Sequence, residues 1–258
     1  MLTSSRWENS GTAHSKHERE VMDSTQKNAR VAGFLYLLVV LTAPIGLIYV
    51  PGKLIVQGDA AGTASRILAG QSLFRIGIVS GLASSVIFIF LGLALYRLLR
   101  DVNQHRALLM LVLALAQVPI SFLNEVNGLA ALMLLRGGGY LAVFQESQRQ
   151  ALAMLFLNVR GQGIIVTEIF WGLWLIPFGL LVFRSGFLPR FLGVWLNLNG
   201  VAYLAVSFAG LLVPGSQQLV SKIVFPALLG EMVVMLWLLI RGARPKALAE
   251  ADLAARSS

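Results

Sequence analysis

Six stretches of this chain, 31–50, 76–99, 107–129, 163–183, 191–213 and 223–240, are apolar, almost free of charge, and long enough to cross a membrane. The hydrocarbon core of a bilayer is about 30 Å thick, which a helix crosses in about 20 residues. The expected fold is therefore all-α: a polytopic membrane protein built as a bundle of six transmembrane helices. Apolar residues make up 57% of the chain and charged residues 13%, about half the share usual in a soluble domain.

The net charge of +9 does not point to nucleic acid, because many basic residues sit at the ends of apolar stretches, where they set topology. One side of the expected bundle has the two tails and the turns after the second and fourth spans. It carries fourteen Lys and Arg, against seven on the other side. Positive residues favour the cytoplasm. Both termini are expected inside a cell (inner) membrane, with three loops outside. Residues 27–242 form the expected transmembrane domain. It lies between a disordered cytoplasmic tail, 1–26, that lacks the apolar core of a signal peptide, and a short cytoplasmic tail, 243–258. Met22, just ahead of Lys27 and Arg30, is a plausible alternative start.

Two outer segments are longer than turns. Residues 51–73 open with Pro51-Gly52 and Gly58-Asp59, both turn formers, ahead of a short helix over 63–73. Residues 136–162 open with Gly137-Gly138-Gly139. They continue as an amphipathic helix over 145–160 that is expected to lie at the outer interface, with Arg160-Gly161-Gln162-Gly163 breaking it from span four.

Acids inside a membrane are costly and usually face the bundle interior. Three fall in or near the spans: Glu125, Glu168 and Glu231. The topology places all three in the outer half, where they can meet in one outward-facing acidic cavity. Asn124 and Asn127 lie three apart on the Glu125 helix, and a carboxylate with amide neighbours suits a cation, a proton or a polar head group. Span five adds Asn197, Asn199 and Tyr203 further toward the cytoplasm. Glu125 has a competing structural reading, an ion pair with Arg75 on span two. Glu168, close to the interface, has an even simpler structural one. Glu231 has no basic residue in its own span and is the best single candidate for ligand contact, ahead of Glu125, Asn124 and Asn127.

Several chemistries are disfavoured. The chain has no cysteine, and His14, His17 and His105 all lie outside the spans. No HExxH motif, membrane-buried Ser–His pair or Walker A loop is present, so no metal site, cofactor or catalytic group is expected. Gly77, Gly81 and Ser85 form a small-residue face for helix packing. Pro44, Pro119, Pro177 and Pro226 fall within spans. The expected partners are the lipid bilayer and a small ligand or cation, not nucleic acid. A membrane regulator or interaction partner with structural glutamates is the alternative to a binding or transport protein.

Several strings carry a resemblance. They include Arg30-Val31-Ala32-Gly33-Phe34-Leu35-Tyr36, Tyr49-Val50-Pro51-Gly52-Lys53, Ser72-Leu73-Phe74-Arg75-Ile76-Gly77, Ile169-Phe170-Trp171-Gly172-Leu173-Trp174 and Ser185-Gly186-Phe187-Leu188-Pro189-Arg190. Over roughly 27–242 the chain resembles a bacterial family known as domain of unknown function 4386. That resemblance implies a multi-pass membrane protein and transfers no catalytic residue. The chain departs from the family pattern at Gly81, where an acid is usual, and at Glu168, where an amide is usual.

Overall fold

A computed structural model describes residues 5–213 and 215–243 of the chain, and among them there is no strand. The elements are α1 (Ser5–Pro44), a π-helical turn (Ile45–Tyr49), α2 (Val50–Leu54), α3 (Ala60–Ala69), α4 (Gln71–Leu99), α5 (Gln104–Arg136), a 3-10 turn (Gly139–Leu141), α6 (Glu146–Arg184), α7 (Arg190–Leu212), α8 (Gln217–Leu228) and α9 (Gly230–Ile240). Six segments are long and apolar enough to span a bilayer: Ser24–Leu54, Gln71–Leu99, Gln104–Arg136, Glu146–Arg184, Arg190–Leu212 and Leu219–Ile240. The chain is thus an all-α, multi-pass membrane protein, and each expected apolar stretch falls in one of these segments.

At the ends the picture differs from the expectation. Helix α1 is continuous from Ser5, where a disordered tail was expected over 1–26. Adding residues to a helix already nucleated by the span costs less than starting one, so the segment ahead of span one prolongs α1 despite its Ser, Thr and Gly. Residues 1–4, and 244–258 of the expected C-terminal tail, lie outside the described residues.

The six spans close a ring. Each packs on its neighbour in sequence, α1 on α4, α4 on α5, α5 on α6, α6 on α7 and α7 on α9, and α9 returns to α1. The side chains inside the ring form two packed layers. One includes Leu95, Leu99, Met110, Phe178, Leu181, Leu192 and Leu238, toward the ends where Arg97, Arg106, Arg184, Arg190 and Arg241 sit, with Trp174 at its cavity edge. The other, Val50, Leu54, Ile67, Phe74, Ile78, Ala131, Leu132, Ala153 and Leu157, lies at the opposite end under α3.

Helix α3 starts at Ala60, three residues ahead of the expected 63–73, its N-cap Asp59 accepting a hydrogen bond from the Gly62 N–H at 2.8 Å. Pro51-Gly52 is not a turn. Pro51 lies in the first turn of α2, directly after the π-helical turn, and has no N–H to offer that turn.

The separate interfacial helix expected over 145–160 does not exist. Helix α6 runs unbroken for 39 residues, about 58 Å at 1.5 Å per residue, so it crosses the membrane and continues beyond it. It begins at a capping box between Gln145 and Gln148. The glycines read as a break serve another purpose. A Cβ at Gly163 would collide with the Asn124 side chain of α5, so glycine here lets two helices approach. Two helical glycines cost about 1 kcal/mol each, which packing along the α5–α6 hairpin offsets. The Gly137-Gly138-Gly139 run does end α5, with Gly137 in the left-handed region at φ 72°.

Span six is broken instead. Pro226 withdraws one N–H from α8, and the helix stops at Leu228 to restart as α9 at Gly230. The exposed carbonyls find partners on α7. Trp195 Nε1 donates to the Pro226 oxygen at 3.2 Å, and Asn199 Nδ2 donates to the Leu228 oxygen at 3.5 Å. Such partners are what make a broken helix tolerable at membrane depth.

Candidate functional site

Between the two packed layers the ring encloses a cavity of about 320 Å³, and every one of the six spans contributes to its wall. That volume is at the lower end of the range for small-molecule sites. Its deep end is set by the break in span six. Glu231 stands in the first turn of α9, where orphan backbone N–H groups and the helix dipole favour a carboxylate. It is ten residues from Arg241, about 15 Å along a helix and hence near mid-membrane.

The Tyr36 hydroxyl donates to Glu231 Oε2. Tyr203 and Asn199 are also within hydrogen-bonding reach of this carboxylate. No basic residue among the described residues pairs with it. Around it stand aromatic rings. Tyr36 and Trp174 have centroids 6.5 Å apart, Phe88 meets Trp174 edge-on at 5.4 Å, and Trp171 meets Tyr203 edge-on at 5.5 Å.

The outer end is set by Glu125. Arg160 Nη2 donates to Glu125 Oε1 at 2.9 Å and Oε2 at 3.3 Å. Both residues are buried, at 6% and 7% exposure. The same Nη2 donates to the Gly46 carbonyl oxygen at 3.2 Å. That carbonyl needs a donor for a reason visible in the chain. In the π-helical turn Val50 N–H bonds back to Ile45, and the next residue, Pro51, has no N–H to offer Gly46. Arg160 thus joins α6, α5 and the end of span one in one knot. Gly81 makes room for it, since a Cβ there would collide with the Glu125 carboxylate.

The sequence candidates separate accordingly. Glu231, Glu125 and Asn124 line the cavity. Asn127 is half-buried on the same helix and does not line it. Glu168 does not line it either, so two of the three glutamates share the space, not all three. The pair expected between Glu125 and Arg75 is replaced by Glu125–Arg160, and Arg75 is exposed. Gly77 does serve close packing, against Val50 and near Gly46, while Gly81 and Ser85 belong to the cavity wall.

Sequence reasoning missed Gln117 as a site residue. Gln117 is 5% exposed and lines the cavity, and its Nε2 has no hydrogen-bond partner among the described residues. A buried unmet donor costs about 1–3 kcal/mol unless water or a ligand meets it. No group of three or more His, Cys, Asp or Glu comes together among the described residues.

The model of the family described as domain of unknown function (DUF4386) matches residues 31–242, well over half of the chain. No curated protein and no solved structure matches it.

Proposed function

The chain belongs to the DUF4386 family of domains of unknown function, and we propose that it is a small-molecule binding or transport protein of the cell membrane whose ligand sits in the cavity between Glu231 and Glu125. One observation carries this reading. All six spans wall a single space that holds a carboxylate without a basic partner and an amide without a hydrogen-bond partner among the described residues. A bundle needing only stability would fill that space with side chains, as the layers on either side are filled. A discontinuous helix whose break faces the site supports the same reading, because transporters build their central sites this way.

Ligand contact falls to Glu231, Gln117 and Asn124. Glu125 shapes the outer wall, its oxygens engaged by Arg160. The alternative, a regulator with structural glutamates, is favoured by that ion pair alone. It leaves Glu231 and Gln117 without a purpose.

The cavity is proposed to face outward. Glu125, on the outer part of the cavity wall, lies about 28 Å along α5 from Arg106, near the side with fewer basic residues. The absence of cysteine makes the chain its own background for labelling. Ser85→Cys and Ser121→Cys, both on the cavity wall, are expected to react with a membrane-impermeant cationic methanethiosulfonate added outside whole cells. Val79→Cys, 63% exposed and off the cavity wall, is expected to stay unlabelled on the lipid face. Silence at both cavity positions would end the binding reading, and labelling from the cytoplasmic side alone would end the outward one.

Orientation has its own test. Six crossings put both termini on one side, and the charge count makes that side the cytoplasm. A reporter fused after Ser258 is expected to be active only as a cytoplasmic reporter. Strong activity of a periplasmic reporter at that junction would mean an inverted bundle or an odd number of crossings.

A further inference from the structure

We infer that the cavity is selective for an organic cation, an ammonium group on an apolar body, with Glu231 as its counter-ion and the rings of Tyr36, Phe88, Trp171 and Tyr203 as its walls. The inference deepens the binding reading above and rests on it.

Charge comes first. Glu125 is neutralised by Arg160 at 2.9 Å, whereas Glu231 meets only hydroxyl and amide groups. The one ionisable side chain on the wall without a charged partner among the described residues is therefore an acid. Arg160 is not on the wall and is already engaged, so the site offers an anion nothing with which to pair. A cation binding beside Glu231 would supply the partner that the chain withholds.

The walls come second. Ring faces carry negative quadrupole charge, and a cation within about 6 Å of a ring centroid is attracted to them, most strongly where water is excluded. Aromatic side chains and an acid without a charged partner lining one space can together recognise an ammonium group. Val39, Val40, Leu47, Ile164, Leu228 and Met232 add an aliphatic and thioether stretch of wall that suits a hydrocarbon body, beside the hydroxyls of Ser84, Ser85, Ser121 and Thr167.

The third point separates an organic cation from a metal ion. Calcium takes six to eight oxygen ligands, and magnesium demands a near-ideal octahedron. Among the described residues no three acidic, histidine or cysteine side chains gather. The two carboxylates stand at opposite ends of a space far larger than an ion. Gln117 adds a detail, since its unpartnered Nε2 is a donor and the natural ligand should carry an acceptor for it.

The test uses the full chain purified in detergent and three probes of similar shape: phenyltrimethylammonium, its neutral counterpart tert-butylbenzene, and the anion benzenesulfonate. Binding is read by tryptophan fluorescence and by thermal shift. Phenyltrimethylammonium is expected to bind saturably, and the other two at least tenfold more weakly. Glu231→Gln, nearly the same size, should weaken the cation at least tenfold. Glu231→Asp, which keeps the charge, should retain binding within a few-fold and shows that loss in the glutamine variant is not misfolding. Trp171→Leu should weaken the cation without restoring the anion.

Equal binding of the neutral probe, or an unchanged cation affinity in Glu231→Gln, would overturn cation selectivity while leaving a binding cavity in place. Absence of phenyltrimethylammonium binding alongside reactive cysteines at 85 and 121 would overturn it too. Unreactive cysteines would instead sink the reading on which it rests.

Discussion

Arg160→Met is expected to lower the stability of the folded bundle by about 3–5 kcal/mol, the usual consequence of removing one partner from a buried ion pair. Two losses coincide. The Glu125 carboxylate keeps its burial and loses its charge partner. The Gly46 carbonyl loses its donor, which Pro51 cannot replace, and with that bond goes the polar tie from α6 to span one. The double variant Arg160→Met with Glu125→Met separates these effects. Replacing both charges with apolar side chains of similar size is often neutral, so the double variant should recover most of what either single change loses. Only the Gly46 carbonyl then stays unmet, at about 1–3 kcal/mol. Thermal unfolding in detergent measures all three. If the single losses simply add in the double variant, the two side chains are not coupled and the knot is misassigned.

The Arg160 pair also shows where the sequence stopped being legible. The positions of the six spans follow from hydropathy alone, because burial in lipid imposes a length on every crossing helix. Glu231, Glu125 and Asn124 were legible as cavity residues for a similar reason, since polar groups in a span must turn inward. Partners were not legible. Pairing Glu125 with Arg75 assumed that consecutive spans two and three share their charges. The true partner was hidden because Arg160-Gly161-Gln162-Gly163 reads as a helix break.

Had α6 been taken as continuous, the register would have appeared. Glu125 lies 11 residues before the end of α5, and Arg160 lies 14 after the start of α6, so the two are nearly level across one hairpin. Local glycine chemistry favours the break, and tertiary packing overrides it. The restart at Gly230 was legible in part. Pro226 and Gly230 flank the site of the break, but a proline inside a membrane helix more often bends it than ends it. Gln117 escaped notice because polarity is visible in a sequence and an unmet hydrogen bond is not.

The second large effect lies between α6 and α7. Gly172 and Gly179 face Gly200 and Gly193 across the antiparallel pair, each two glycines seven residues apart. A Cβ at Gly179 would lie 2.6 Å from the Gly193 carbonyl oxygen, and one at Gly172 would lie 2.6 Å from the Gly200 carbonyl oxygen. Both obstacles are backbone, so neither can rotate away. Small residues at membrane interfaces let helix backbones approach closely, and in lipid that packing is a main source of helix association.

Gly179→Ala is therefore expected to destabilise the bundle by about 1–3 kcal/mol, and Gly179→Leu to prevent α6 and α7 from packing at all. Damage should reach the cavity, since Trp171 on α6 and Tyr203 on α7 meet across this interface. The same helix holds its own control. Gly161 has nothing within 4 Å of a Cβ position and sits inside α6 with ordinary helical backbone. Gly161→Ala should stabilise by about 0.5–1 kcal/mol, because alanine loses less freedom than glycine on forming helix. Opposite signs for two glycine-to-alanine changes on one helix, read from the same melting experiment, are the expected result. Equal signs would mean that glycine at 179 is not a contact with α7, and that the ring is held together elsewhere.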